Sequence, residues 1–120
     1  MLMFELVLVL LLVKHYLFDF VWQTSVMINH KGIYGHPKGI IHSLGHAIGT
    51  LIVVFLFLGI WWALLIAVID GVVHYHIDWT KTKYGCQDIN NVQFWNHLGL
   101  DQLAHSLTYV FIAGFILRNI

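Results

Sequence analysis

Histidine and aspartate recur four residues apart in four stretches of this chain. His15, Asp19 and Gln23 form the first set, and His42, His46 and Thr50 the second. Asp70, His74 and Asp78 form the third, and His97, Asp101 and His105 the fourth. A four-residue step keeps side chains on one face of an α-helix. Imidazole nitrogens and carboxylate oxygens are ligands by which proteins hold zinc, manganese and iron. Two ligands on successive turns can grip one ion, and helix bundles build two-metal sites from facing helices. The chemistry on offer is metal-assisted: a divalent ion lowers the pKa of its water toward about 7 and polarises a phosphoryl or acyl oxygen.

Such sets need helices to carry them, and the composition says where those helices lie. Of 120 residues, 59% are hydrophobic and 10% charged, and the mean hydropathy is +0.78. Soluble domains carry about 25% charged and roughly 45–50% apolar residues. The chain therefore reads as a single integral membrane domain, residues 1–120. Its hydrophobicity excludes disorder, and six Lys+Arg against six Asp+Glu leave no basic excess for nucleic acid. A single cysteine, Cys86, excludes a disulfide framework and thiolate zinc ribbons.

A helix needs about 20 mainly apolar residues to cross the hydrocarbon. Residues 2–23, 39–58, 60–80 and 94–118 meet that need. They predict an all-α, membrane-embedded, up-down-up-down four-helix bundle. Only Gly59 separates the second and third spans, which forces an antiparallel pair. Residues 24–38 and 81–93, with Gly32, Gly35, Pro37, Gly85, Asn90 and Asn91, read as loops. The first segment has no basic start and no small-residue cleavage motif, so it is read as a span, not a removed signal.

Lysines orient the spans. Lys31, Lys38, Lys81 and Lys83 lie in the long loops, and Lys14 is expected to snorkel toward the same end, with Arg118 alone at the other. The positive-inside rule then puts the long loops in the cytoplasm and both termini outside. Trp22, Trp79 and Trp95 at one border and Trp61 and Trp62 at the other match an aromatic belt. All four polar sets then meet in the cytoplasmic half. His15, His46, Asp70 and His105 are expected deeper, Asp19, His42, Asp78, His97 and Asp101 nearer the cytoplasm, and His74 between.

An ionisable side chain at the bilayer centre costs at least about 2.5–3.5 kcal/mol on insertion scales, so such groups face inward and pair. Taken singly, each stripe is explained by His–Asp hydrogen bonds between helices. Four stripes converging at one depth are better explained by a metal site. Its ligand pool is His15, Asp19, His42, His46, Asp70, His74, Asp78, His97, Asp101 and His105. That exceeds the needs of one tetrahedral ion, which predicts two ions, or one ion with supporting carboxylates. Zinc suits His and Asp without Cys; Mn and Fe are the alternatives. Asp101, Asp78 and His74 are the candidates for handling the attacking water. Gln23, Thr50 and Gln102 are placed to orient ligands or substrate, and Lys31 and Lys81 to hold a phosphate; a solvated loop explains these lysines equally well. Gly45 and Gly49 form a GxxxG pair, a mark of close helix packing. His30, His36 and His76 are read as interfacial.

The run from His15 through Asp19 to Gln23, then Lys31, His42 and His46, Asp78 with Lys81, and Asp101-Gln102 with His105 resembles a known family. It is similar to the small bacterial and phage membrane proteins grouped as domain of unknown function 3307, over nearly the whole chain. By its His/Asp helices that family is similar in turn to inner-membrane proteins regarded as metal-dependent hydrolases. The resemblance implies a bacterial or phage membrane protein with hydrolase activity, expected in the bacterial inner membrane, and supplies no substrate. Asp70 and His97 lie outside the matching residues and rest on spacing alone.

The reading that follows is a membrane-embedded, metal-dependent hydrolase acting on a lipid, lipid-linked or phosphate-containing substrate at the cytoplasmic interface. A di-iron lipid oxidase is the alternative enzyme, although the adjacent His pairs of membrane desaturases are missing. A metal or proton carrier would need polar residues beyond Thr50 and Asp70, where the sequence is almost wholly apolar. A bundle whose metal is only structural, and self-association of so small a chain, are also open.

Overall fold

In the computed structural model, which describes residues 2–120, the chain is helical and, among the described residues, contains no β-strand. Helix α1 spans Met3–Tyr16 and continues into a π-helical turn, Leu17–Val21. Helix α2 is Ser25–His30, α3 Pro37–Leu58, α4 Ile60–Tyr84 and α5 Val92–Asn119. The starts are written in the sequence. Thr24 Oγ1 accepts from Met27 N–H at α2, and Asn91 Oδ1 accepts from Gln93 N–H at α5. At α3, Pro37 occupies the first turn, where its missing N–H is not needed. Gly59 alone parts α3 from α4, with φ at +80°, a conformation that favours glycine.

Helix α1 packs against α3 and α5, α4 packs against the same two, and α2 rests on α3. At the Gly59 end the interior is apolar, with Val7, Leu11, Val54, Ala63, Ala113 and Ile116 fully or almost fully buried. Toward the other end it turns polar, and His15, Asp19, His42, His46, His74, Asp78, Asp101 and His105 are all buried. The surface shows the reverse. Trp61 is 82% exposed and Phe111 72%, within an apolar exterior too extensive for a water-soluble monomer. Helices α3, α4 and α5 are long and apolar enough to cross a membrane.

Several expectations need correction. The first span is not one regular helix over residues 2–23. Its α-helical part has 14 residues, about 21 Å at 1.5 Å per residue, short of the roughly 30 Å hydrocarbon core. The rest winds as the π turn, closed by Trp22 N–H to Leu17 C=O at 2.8 Å. Residues 24–38 are not all loop, since they contain α2. Helix α4 runs past residue 80 to Tyr84, so Lys81 is helical, one turn after Asp78.

Candidate metal centre

Five helical segments bring the candidate ligands together, α1 contributing His15. The π turn carries Asp19, α3 carries His42 and His46, α4 carries His74 and Asp78, and α5 carries Asp101 and His105. Short π segments are frequent at functional sites, and here the turn aims Asp19 at four histidines. Asp19 Oδ1 lies 2.8 Å from His46 Nε2, 3.0 Å from His42 Nε2 and 3.6 Å from His74 Nε2. Asp19 Oδ2 is 3.2 Å from His15 Nε2. Asp78 faces it from α4: its Oδ2 stands 3.1 Å from both His42 and His74 Nε2, and its Oδ1 3.1 Å from His105 Nε2.

These residues fall into three overlapping groups able to hold a metal ion. They are His15, Asp19, His46 and His74; Asp19, His42, His74 and Asp78; and Asp19, Asp78, Asp101 and His105. Asp19 belongs to all three. In the second group, His42 and His74 turn Nε2 atoms toward each other at 3.3 Å. Five of the six separations among its members run from 3.0 to 3.6 Å, and all lie within 4.8 Å. Ligands about 2.0–2.1 Å from a tetrahedral zinc stand roughly 3.3 Å apart, so this quartet fits such an ion. Asp101 Oδ1 is buried without a hydrogen-bond partner, 3.5 Å from His105 Nε2. A buried carboxylate oxygen left bare is costly, and a cation at the third group would satisfy it.

Around these ligands sits a layer of supporting contacts. Gln23 donates to the backbone oxygen of Asp19 at 2.6 Å and accepts from Lys31 Nζ at 3.0 Å. Lys31 Nζ is also 3.4 Å from Asp78 Oδ2. Lys81 Nζ is 3.7 Å from Asp101 Oδ2. Gln102 donates to Asp101 Oδ2 at 2.9 Å, and its Oε1 is 3.0 Å from His15 Nε2.

Three predicted residues sit elsewhere. Asp70 is outside all three groups; it accepts from Thr50 Oγ1 at 2.6 Å and pairs with Lys14 Nζ at 3.2 Å. Thr50 therefore serves Asp70 and not the cluster. His97 is also outside, with Nδ1 accepting from the Cys86 N–H at 2.8 Å. His76, expected outside the cluster, is exposed, its Nε2 2.9 Å from the Tyr34 hydroxyl.

Lys14 and Tyr109 belong to the site's deep wall, and sequence reasoning missed both. Lys14 does not snorkel: it is buried, with Nζ bonded to Asp70, the His46 carbonyl and the Tyr109 hydroxyl. Room for it comes from Gly49, where an added Cβ would stand 2.8 Å from Lys14 Cδ and 3.1 Å from Phe18 Cε2. The GxxxG pair thus admits a lysine stem and a phenyl ring rather than a second backbone. Tyr109 had a signal, since it extends the 97, 101, 105 series by one more step of four.

The protein is therefore of a definite class: all-helical, apolar outside, with a buried His/Asp cluster that could hold a metal ion. The family model of the protein of unknown function DUF3307 matches residues 7–119, and the chain belongs to that family. No curated protein and no solved structure matches it at a significant level.

Proposed function

We propose that this protein is a membrane-embedded, metal-dependent hydrolase acting on a lipid, lipid-linked or phosphate-containing substrate. In this reading α1 with its π turn, α3, α4 and α5 cross the bacterial inner membrane as an up-down-up-down bundle. Both termini face outward and the centre opens toward the cytoplasm, where the lysine-bearing loops lie. The observation that carries the reading is the quartet Asp19, His42, His74 and Asp78, four buried ligand atoms within 4.8 Å of one another, five of their six separations being close to those around a tetrahedral ion. Zinc is the preferred ion, with Mn and Fe as alternatives, and Asp101 with His105 would complete a second site sharing Asp19 and Asp78.

When bound, a divalent ion supplies Lewis acidity that acidifies water and polarises the scissile group. The chain's own residues do the rest. With the quartet alone occupied, Asp101, with one oxygen unpartnered, is placed to accept a proton from the attacking water. Gln102 holds its other oxygen. Lys31 and Lys81 meet the substrate's negative charge at the rim. The interior beyond Lys14 and Asp70 is apolar, which favours a closed reaction site over an ion pathway.

The test begins with elemental analysis of detergent-purified protein. Near-stoichiometric zinc is expected, lost in His42→Ala or Asp78→Ala, together with hydrolysis of members of a lipid and phosphoester panel. Full metal retention in both variants would sink the ligand assignment. Metal without turnover would leave a structural bundle, and iron with oxygen consumption an oxidase.

A further inference from the structure

We infer that the centre takes a lipid phosphate, with the phosphate between Lys31 and Lys81 and an acyl chain in the groove between α4 and α5. This names a substrate class for the hydrolase reading and rests on it for the bound ion.

The cavity above the centre has a volume of about 250 Å³, with Asp19 and Gln102 on its lining and Lys31 and Lys81 beside them. A second, of about 200 Å³, shares both lysines. Lys31 is only 7% exposed, and a lysine so enclosed needs a negative partner. Its ammonium leans on Asp78, and that of Lys81 on Asp101. Both partners are carboxylates of the centre.

Charge balance then decides what the loaded site wants. With the histidines neutral, as ligands must be, Asp19, Asp78 and Asp101 outnumber the two ammonium groups by one. A single divalent ion reverses that balance, and a second leaves a larger positive excess. Uncompensated buried charge is strongly unfavourable. An ion in the quartet would engage Asp78, on which Lys31 leans, and one in the third group both Asp78 and Asp101, which would leave the ammonium groups for an incoming anion. A phosphate monoester carries up to about two negative charges and three acceptor oxygens, enough to meet both lysines and face the ion. A carboxylate has one charge and two oxygens to offer.

An apolar groove reaches the same lysine. It encloses about 660 Å³ between α4 and α5, is walled by Val72, Val73, Ile77, Leu100 and Ala104, and includes Lys81 and Asp101 in its lining. Lys81 borders the groove and both cavities. A ligand with an apolar chain in the groove would therefore present its head to Lys81.

The test uses zinc-loaded protein in phosphatidylcholine nanodiscs, titrated with phosphatidic acid, glycerol phosphate and inorganic phosphate. Phosphatidic acid is expected to bind at least about tenfold more tightly than glycerol phosphate, since the bilayer holds its chains beside the groove and raises the effective concentration of its head at the lysines. Lys31→Gln and Lys81→Gln should each weaken both ligands about tenfold, the scale of a lost charge-assisted hydrogen bond, with zinc content unchanged. Ala104→Trp should weaken phosphatidic acid alone. Equal affinity for phosphatidic acid and glycerol phosphate would overturn the lipid assignment. Zinc-loaded protein that ignores all three ligands, or lysine variants that bind like wild type, would overturn the inference while sparing the hydrolase reading. A protein that takes up no metal would overturn both.

Discussion

The Tyr109 hydroxyl lies 2.9 Å from His15 Nδ1, and the direction of that hydrogen bond is set from both sides. Lys14 Nζ, 3.3 Å from the same hydroxyl, is a donor only when charged, so the hydroxyl accepts from Lys14 and donates to His15. The imidazole then keeps its hydrogen on Nε2, where Gln102 Oε1 accepts at 3.0 Å. Gln102 holds that orientation because its amide nitrogen donates to Asp101. The bonds run one way, from Lys14 through Tyr109, His15 and Gln102 to Asp101; the single Nε2 hydrogen of His15 is shared between Gln102 and Asp19, so in this arrangement His15 supports the centre and is not a metal ligand.

Removing the hydroxyl should loosen the metal without removing a ligand. Partners one layer out from a metal are typically worth about 10–100-fold in affinity. Tyr109→Phe is expected to weaken zinc about tenfold at unchanged stoichiometry, measured by competition with a chelator. His15→Gln, which keeps a donor, is expected to retain the wild-type metal count. Zinc bound as tightly by Tyr109→Phe as by wild type would show that the chain of bonds does not support the centre.

The Lys14–Asp70 pair predicts a mutant cycle. Lys14→Met leaves Asp70 buried with Thr50 alone, and breaking a buried ion pair in this way costs about 3–5 kcal/mol. Replacing both members with apolar residues is often close to neutral. Unfolding in detergent should therefore show a large loss for Lys14→Met and recovery of most of it in Lys14→Met with Asp70→Val. A double variant as unstable as the single one would contradict the pairing.

Two glycines should respond oppositely to alanine. Gly49 has Lys14 and Phe18 against it, whereas nothing lies within 4 Å of a Cβ added at Gly99. Overpacking costs about 1–3 kcal/mol, and Gly→Ala in an open helix interior gains up to about 1 kcal/mol. Gly49→Ala should lower the melting temperature and Gly99→Ala hold or raise it. Equal effects would mean that Gly49 is not making room for Lys14.

Metal removal should also be visible in stability. A ligand that binds only the folded state at about 1,000 times its Kd adds roughly 4.1 kcal/mol. Chelator-treated protein should melt at a lower temperature, and zinc should restore the original value. A melting curve indifferent to zinc would count against a folded-state metal site.

Spacing made the cluster legible, because a four-residue step reports a shared helical face. It does not report depth. Asp70 and Asp78 share a face but lie about 12 Å apart along α4 at 1.5 Å per residue, so Asp70 falls to Lys14 and Thr50 instead of the cluster. His97 stands a turn from Asp101 and is taken by the Cys86 backbone. Lys14 read as a snorkelling residue because nothing in α1 itself marks an inward partner; the partner sits on α4, and the space for it on α3. The π turn has no pattern of its own, since it differs from an α-helix in hydrogen bonding and not in residue type.

Gly59 joins two helices whose polar side chains already answer one another. Thr50 bonds Asp70, and His42 meets both His74 and Asp78. The α3–α4 pair is thus a fragment that satisfies many of its own buried groups before α1 or α5 docks, while Lys14 on α1 finds its partners on other helices and Asp19 on the π turn has only His15 nearby in its own segment. Biogenesis would accordingly start from this hairpin, with the first helix settling last onto a surface prepared for it.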